Sequence, residues 1–342
     1  MDLPPGYSRA TKRLKGELVD DGIALVPGDA LLPLVLDELE YARRGPRFER
    51  RIPTYGSIVV PDDRSLVATG ELVDLVELDG IDLATARRFA DGRATYLARW
   101  LDGTSVLACF RRAVLFEADL VDVQAETGAY IIQRTPVLNV TRLFTSEATI
   151  EWSGHRWLAR ATARAEHARL LPRLPAARSD VLAGILTLAV HWLSPSRAGA
   201  TIILPGDHGD AGLDVEHSIA TPALRLTDRH HFPAVLAALV QTDLATVVEP
   251  DGGVSRIGVA LRSSPEAMAE APVDPSHGMR HRSAATYTYD QPGALAVVVS
   301  EDGPVTIFQR GEPVSECAGG LTPFEPATAP AGSVEPYPTA PA

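Results

Sequence analysis

Apolar and polar positions alternate in two textures along the chain, and the change between them divides it near its middle. From 30 to 43, Leu31, Leu32, Val35, Leu36 and Leu39 recur at helical spacing on one face. Short apolar runs at 57–61 and 66–68 read as strands. The stretch 82–100 reads as a helix with Ala84, Phe89, Ala90, Tyr96, Leu97 and Trp100 as candidate buried positions. From 105 to 157 a period of two takes over, and strands are predicted at 114–116, 130–133, 140–144 and 149–152. The last of these turns at Ser153, Gly154 and His155 into a hairpin that resumes at Arg156 and Trp157. Residues 26–157 therefore read as an α+β domain that follows a polar, loosely held start at 1–25.

Residues 158–178 are rich in Ala, Arg, Leu and Pro and read as a partly helical linker. Ser179 and Asp180 then open a helix through Leu193, whose only polar side chain between Val181 and His191 is Thr187; such a run predicts burial on most sides. A strand follows at 199–204, then a helix at 233–240, a strand at 244–248, a turn at 250–253 and a strand ending near Leu261. A helix at 283–289 leads into a strand at 294–299 and a hairpin through 305–309. Strands interleaved with helices predict an α/β layer fold over 179–315. Pro, Ala, Gly and Thr dominate 319–342, the composition of a disordered tail.

Composition narrows the functional classes. A chain of 342 residues exceeds one ordinary core and fits two domains. A net charge of −12 argues against a nucleic-acid partner, because phosphate binding needs a basic surface. Lys12 and Lys15 are the only lysines, so an anion site here is built from guanidinium groups or backbone amides. Cys109 and Cys317 are too few for a disulfide framework or a thiolate zinc site. No basic segment followed by an apolar core marks the N-terminus, and the run 181–193 falls short of the ~20 residues of a membrane span. The expectation is a cytoplasmic protein without membrane contact.

Three segments carry candidate chemistry. Gly278-Met279-Arg280-His281-Arg282-Ser283-Ala284 places two arginines around a histidine just before a predicted helix, a pattern suited to phosphate oxygens and equally to a solvated basic turn. Ala296-Val297-Val298-Val299-Ser300-Glu301-Asp302 delivers a hydroxyl and two acids at the end of a buried strand, where open α/β sheets bind ligands. Asp243-Leu244-Ala245 puts one acid at the mouth of another strand, as a cation ligand or a turn cap.

Together these segments resemble the signature of diadenylate cyclase domains: Gly-x-Arg-His-Arg-Ser-Ala, then Val-Val-Ser-Glu, with Asp-x-Ala upstream. Ser300 follows Arg280 by 20 residues, close to the family spacing, whereas Arg280 follows Asp243 by 37, an excess that falls in 263–277. The helix 181–193 and the segment 194–200 also resemble the family's opening helix and first strand, so the likeness spans roughly 180–312.

The resemblance implies a mixed-sheet catalytic domain flanked by helices, behind an N-terminal domain that regulates it. It implies that Asp243 holds Mg²⁺ or Mn²⁺ and presents a ribose 3′-hydroxyl, with Glu301 assisting at the metal. Arg280, His281, Arg282 and Ser283 would hold the triphosphate of ATP beside Ser300, with Gly278 and Met279 at the same loop. Leu261 would lie against the adenine, and Leu244 and Ala245 would flank the nucleotide. Two such domains would self-associate face to face and join two ATP into cyclic di-AMP. The chain departs from the family twice: Leu244 stands where the pattern has Gly, and Met279 where it commonly has Thr. Those departures leave open a catalytically degenerate, nucleotide-binding sensor of the same fold.

Two other patterns compete. Asp207, His208, Asp210, Asp214, Glu216 and His217 are dense enough in acids and imidazoles to suggest a metallohydrolase, although they fall on one Gly-rich loop without helical i, i+4 pairing. His230 and His231 read as the entry to the helix at 233–240.

Overall fold

The computed structural model describes residues 9–317 apart from 24, 26–28, 46–48, 50–51, 62–65, 67–72, 115, 136–139, 174–177, 207–208, 210 and 273–277. It is a mixed α/β structure with two sheets, one in each half of the chain. The first contains β1 (Tyr55–Val59), β2 (Val73–Glu77), β3 (Thr95–Arg99), β4 (Ser105–Phe110), β5 (Tyr130–Arg134), β6 (Thr141–Phe144), β7 (Ala148–Trp152) and β8 (Trp157–Ala161), in the order β2-β4-β3-β1-β5-β6-β7-β8. Only β1 and β3 run parallel. Helices Arg9–Asp20 and Leu32–Arg44 contribute Leu14, Leu18, Val35, Leu36 and Leu39 to the core on one face, and helix Glu117–Thr127 contributes Leu120 and Val123 to the core on the other.

The strands predicted at 130–133, 140–144 and 149–152 and the hairpin into Trp157 match β5 to β8. Elsewhere the sequence misled. The start expected to be loose forms helix Arg9–Asp20, whose buried Leu14 and Leu18 are spaced i, i+4 among charged neighbours. The helix expected over 82–100 lasts one turn, Leu83–Ala86, with a 3₁₀ continuation at Arg87–Phe89. Gly92 then takes φ +68 where a Cβ would strike the Tyr55 carbonyl, so the chain turns there and runs back as β3. Ala90, Tyr96, Leu97 and Trp100 are buried as expected, but Ala84 and Phe89 are exposed. Of the strand expected at 114–116, Val114 and Phe116 are not in a strand, and residue 115 lies outside the described residues. The pairing strand is β4, and Phe116 precedes helix Glu117–Thr127. Of the strand expected at 66–68, only Leu66 lies among the described residues, and it is buried.

The stretch expected as a linker is structured over most of its length. β8 runs to Ala161, Thr162 caps helix Ala163–Leu170, and that helix packs on Ser179–Leu188. Helix Ser179–Leu188 continues as a π-turn at Ala189–Leu193, completing the apolar run read from the sequence. At this junction Glu117 is fully buried. It accepts two hydrogen bonds from Arg160 at 2.6 and 2.8 Å and one from His191 Nδ1 at 2.9 Å. His191 Nε2 accepts from the Ala163 amide at 3.0 Å, so the imidazole proton sits on Nδ1.

The second sheet contains β9 (Ala200–Leu204), β10 (Leu213–Asp214), β11 (Ile219–Arg225), β12 (Ala245–Val248), β13 (Gly253–Leu261), β14 (Leu295–Val299), β15 (Val305–Gln309) and β16 (Glu312–Cys317). Its order is β10-β13-β12-β9-β14-β15-β16, with β11 also paired to β13. β9 lies at the centre, parallel to β12 and antiparallel to β14. The π-turned helix and helix Phe232–Leu239 cover one face, and Ala284, Ala285 and Tyr287 of helix Met279–Asp290 cover the other. The sequence missed β16, the two-residue β10 and the seven-residue β11, because their exposed or half-buried residues lack an apolar alternation. The tail expected from 319 lies outside the described residues.

Candidate functional site

β9, β12 and β14 deliver their ends to one cleft of about 600 Å³, and helix Met279–Asp290 closes one side. Asp243, Leu244 and Ala245 enter it at the start of β12, Leu261 at the end of β13, and Ser300 and Glu301 just after β14. Gly278, Met279, Arg280, His281 and Ser283 line the helix side; Arg282 alone of the predicted set is absent from the lining. The helix begins four residues before the predicted start at 283, and Gly278 is its N-cap, with no side-chain cap hydrogen bond. Arg280, His281 and Arg282 therefore belong to its first turn. A helix N-terminus of this kind favours anions, and within it the Arg282 amide already donates to Gly278 O at 3.2 Å.

Arg280 organises the cleft. Its NH1 donates to Glu301 Oε1 at 3.0 Å, and its NH2 lies 3.7 Å from Asp243 Oδ1. The guanidinium thus brings together the acids of two strands with the basic segment. Asp243 itself is 94% exposed, so its carboxylate stands at the open mouth. His281, also in the cleft lining, has its Nε2 3.2 Å from Thr306 Oγ1, and its ring packs edge-on to Phe308. That contact makes His281 a brace for the helix against β15.

The site also contains residues that sequence reasoning passed over. Gly199 lies beneath the ion pair, where a Cβ would come 2.9 Å from Glu301 Cγ and closer still to the Arg280 guanidinium. Thr201 of β9 and Val259 of β13 line the cleft as well. The sequence signal for Gly199 was its place just before a buried strand, which fits close backbone approach. Leu244 adopts φ +71, a left-handed conformation that glycine takes freely and leucine does not. Its side chain remains 58% exposed.

Among the described residues, those of the acid- and histidine-rich loop included, no three His, Cys, Asp or Glu groups converge on one point. Asp214 pairs with Arg262 at 2.9 Å, and the Arg262 hydrogen bond lowers its carboxyl below the ordinary range. Asp207, His208 and Asp210 lie outside the described residues. His231 ends a 3₁₀ turn, and its Nδ1 accepts from the Arg225 amide, consistent with a helix-entry role. Among the described residues no helix is long and apolar enough to cross a membrane.

Residues 187–313 match the DAC family, described as DisA bacterial checkpoint controller nucleotide-binding. Residues 12–160 match DACNK, described as a probable sensor domain. No curated protein matches the chain. Among solved structures, one described as a hypothetical membrane spanning protein from Bacillus cereus is 21% identical; the match covers 46% of this chain and 71% of that one, at a TM-score of 0.33.

Proposed function

We propose that this chain, which carries a DAC nucleotide-binding domain behind a probable sensor domain, is a diadenylate cyclase that joins two ATP into cyclic di-AMP and releases two pyrophosphates. The observation that carries the reading is the Arg280 guanidinium, set at a helix N-terminus between Asp243 and Glu301 in a strand-end cleft. Phosphoryl transfer depends mainly on positioning and charge neutralisation, and this cleft supplies both without a strong side-chain base.

Arg280 and the N-terminal end of its helix receive the triphosphate, with the Ser283 and Ser300 hydroxyls beside it. Leu261, Val259 and Leu244 present the apolar wall expected for a base. As Arg280 turns to phosphate, Asp243 and Glu301 are released to orient the ribose 3′-hydroxyl. Asp243 and Glu301, at the ends of the two strands that flank β9, would hold a hard divalent cation, Mg²⁺ or Mn²⁺. Such an ion supplies charge neutralisation at the α-phosphate and lowers the pKa of the attacking hydroxyl. The exposure of Asp243 supports pairing of two domains: a carboxylate standing in solvent acts on the nucleotide of a second copy facing it.

One observation favours a second reading, a degenerate nucleotide-binding sensor of the same fold. Leu244 occupies a glycine conformation at the cleft mouth. Incubation with ATP and Mn²⁺ or Mg²⁺, followed by chromatography and mass spectrometry, separates the two. Cyclic di-AMP that vanishes in Asp243→Asn is the expected result; retained ATP with no product assigns the chain to the second reading.

A further inference from the structure

A second cavity of about 260 Å³ lies between the domains. Its floor is one face of the N-terminal sheet. The register pairs Arg142 with Glu151, Thr149 with Arg160 and Glu151 with Leu158, so these side chains all point the same way. The facing wall comes from the C-terminal domain at Ser194, Arg197, Asp302 and Gly303. Asp302 lines this cavity and the nucleotide cleft alike, so a single turn separates the two.

A sheet face turned toward a neighbouring domain ordinarily carries apolar side chains. This one carries hydrogen-bond donors in excess. Arg142 gives its Nε to Glu151 at 3.0 Å, while its NH1 lies 3.9 Å from Glu117, too far for a hydrogen bond. Its terminal N–H groups are thus unspent, on a side chain only 15% exposed. The Arg197 guanidinium has no hydrogen bond or ion pair among the described residues, and Arg197 itself sits at φ +52. Thr149 is 2% exposed, and its hydroxyl has no partner. A guanidinium only donates, so groups that answer this surplus must accept. Glu151 is already engaged by Arg142, and Asp302 is exposed at the edge.

We propose that this interdomain cleft is an effector site for a small molecule bearing an oxyanion, carboxylate or phosphate, gripped by Arg142 and Arg197 with the Thr149 hydroxyl in its wall. The cavity is below the 300–1,000 Å³ or so typical of drug-sized ligands, which sets the molecule's size. Occupancy is felt in the nucleotide cleft through a chain of hydrogen bonds. Arg197 shares a short loop with Ser194, whose hydroxyl donates to the Gly303 carbonyl. The Ser300 amide donates to Pro304 O at 2.8 Å and the Gly303 amide to Ser300 O at 2.9 Å, closing the turn that holds Glu301 against Arg280. A ligand that draws Arg142 of one domain toward Arg197 of the other favours the arrangement in which this turn is seated. The effect on turnover rests on the cyclase reading; binding does not.

The test titrates inorganic phosphate and, separately, succinate into the full chain by calorimetry, with and without a saturating non-hydrolysable ATP analogue. At least one probe is expected to bind in both conditions, and which one binds tells a phosphate from a carboxylate effector. Arg197→Gln and Arg142→Gln should each weaken that probe by about tenfold or more, the loss of one charged hydrogen bond, and leave the analogue's affinity unchanged. Arg197 is exposed on a loop, so its variant folds even if Arg142→Gln does not. Absence of binding by both probes, or binding that neither substitution weakens, overturns the site. Saturation should slow hydrogen exchange at amides 300–303 and change the rate of cyclic di-AMP formation; unaltered exchange overturns the coupling. A chain that binds the probe but makes no product refutes the cyclase reading and leaves the site standing.

Discussion

Leu244 holds φ +71, a left-handed conformation that costs a residue with a Cβ roughly 1–2 kcal/mol and costs glycine nothing. Leu244→Gly recovers that strain. Against it stand two losses. The side chain is 58% exposed, so less than half of the ~1.5–3 kcal/mol for burying a leucine is forfeited, about 1 kcal/mol. Glycine also loses about 0.5–1 kcal/mol more backbone entropy on folding. The three terms nearly cancel, so the glycine variant should fold with close to the original stability. Leu244→Ala forfeits the same burial, keeps the strain, and should be destabilised by about 1 kcal/mol. Glycine is thus expected to exceed alanine at this position by roughly 0.5–1 kcal/mol, the reverse of their order where φ is negative. Calorimetric or denaturant unfolding of the two variants reads the difference as a few degrees in Tm. Because Leu244 also lines the cleft mouth, the glycine variant should bind ATP more tightly than the alanine variant. An alanine variant as stable as the glycine variant would refute the argument from backbone strain.

Arg280→Ala removes the group shared by Asp243 and Glu301, and ATP affinity should fall by ~1.5–3 kcal/mol, the worth of a charged hydrogen bond; an unchanged Kd in fluorescence or calorimetric titration would remove Arg280 from the site. Gly199→Ala places a methyl under the Arg280–Glu301 pair. Both neighbours are flexible side-chain ends, so Tm should shift little while KM for ATP rises several-fold, and a KM equal to that of the unaltered chain would refute the close approach. Acid should loosen the domain junction. Burial raises the Glu117 carboxyl, but the Arg160 charge and the His191 hydrogen bond prevail and hold it at about 2, below its unfolded value; burial lowers His191. Both groups bind more protons when unfolded, so stability falls as pH drops below about 6.5 for His191, and again from about 4.5 toward 2 for Glu117. Denaturant midpoints measured from pH 7 to pH 3 should show that decline, with a shallower lower arm in Glu117→Gln.

Where a segment's own pattern states which face is buried, the sequence sufficed. The alternation through β5 to β8, the apolar run 181–193 and the buried strand ending at Val299 needed no partner to be recognised, because period and length already distinguish strand from helix. The charges of Asp243, Arg280 and Glu301 at element ends were likewise visible in one dimension. Local reading failed where a distant contact overrode it. The helical texture of 82–100 yields to Gly92, whose left-handed turn is dictated by the Tyr55 carbonyl on another strand. Leu14 and Leu18 are buried by tertiary contacts, in one core with helix Leu32–Arg44 and the first sheet. In the cleft, sheet order makes the decision: β9, inserted between β12 and β14, starts beside Gly199 at the Arg280–Glu301 pair, places Thr201 in the cleft wall and brings Asp243 within reach of the same guanidinium. Sequence separation contains no information about strand order. The chain alone determined which side chains bear charge and which faces shun water; the packing of one sheet against its helices decided which of those charges meet.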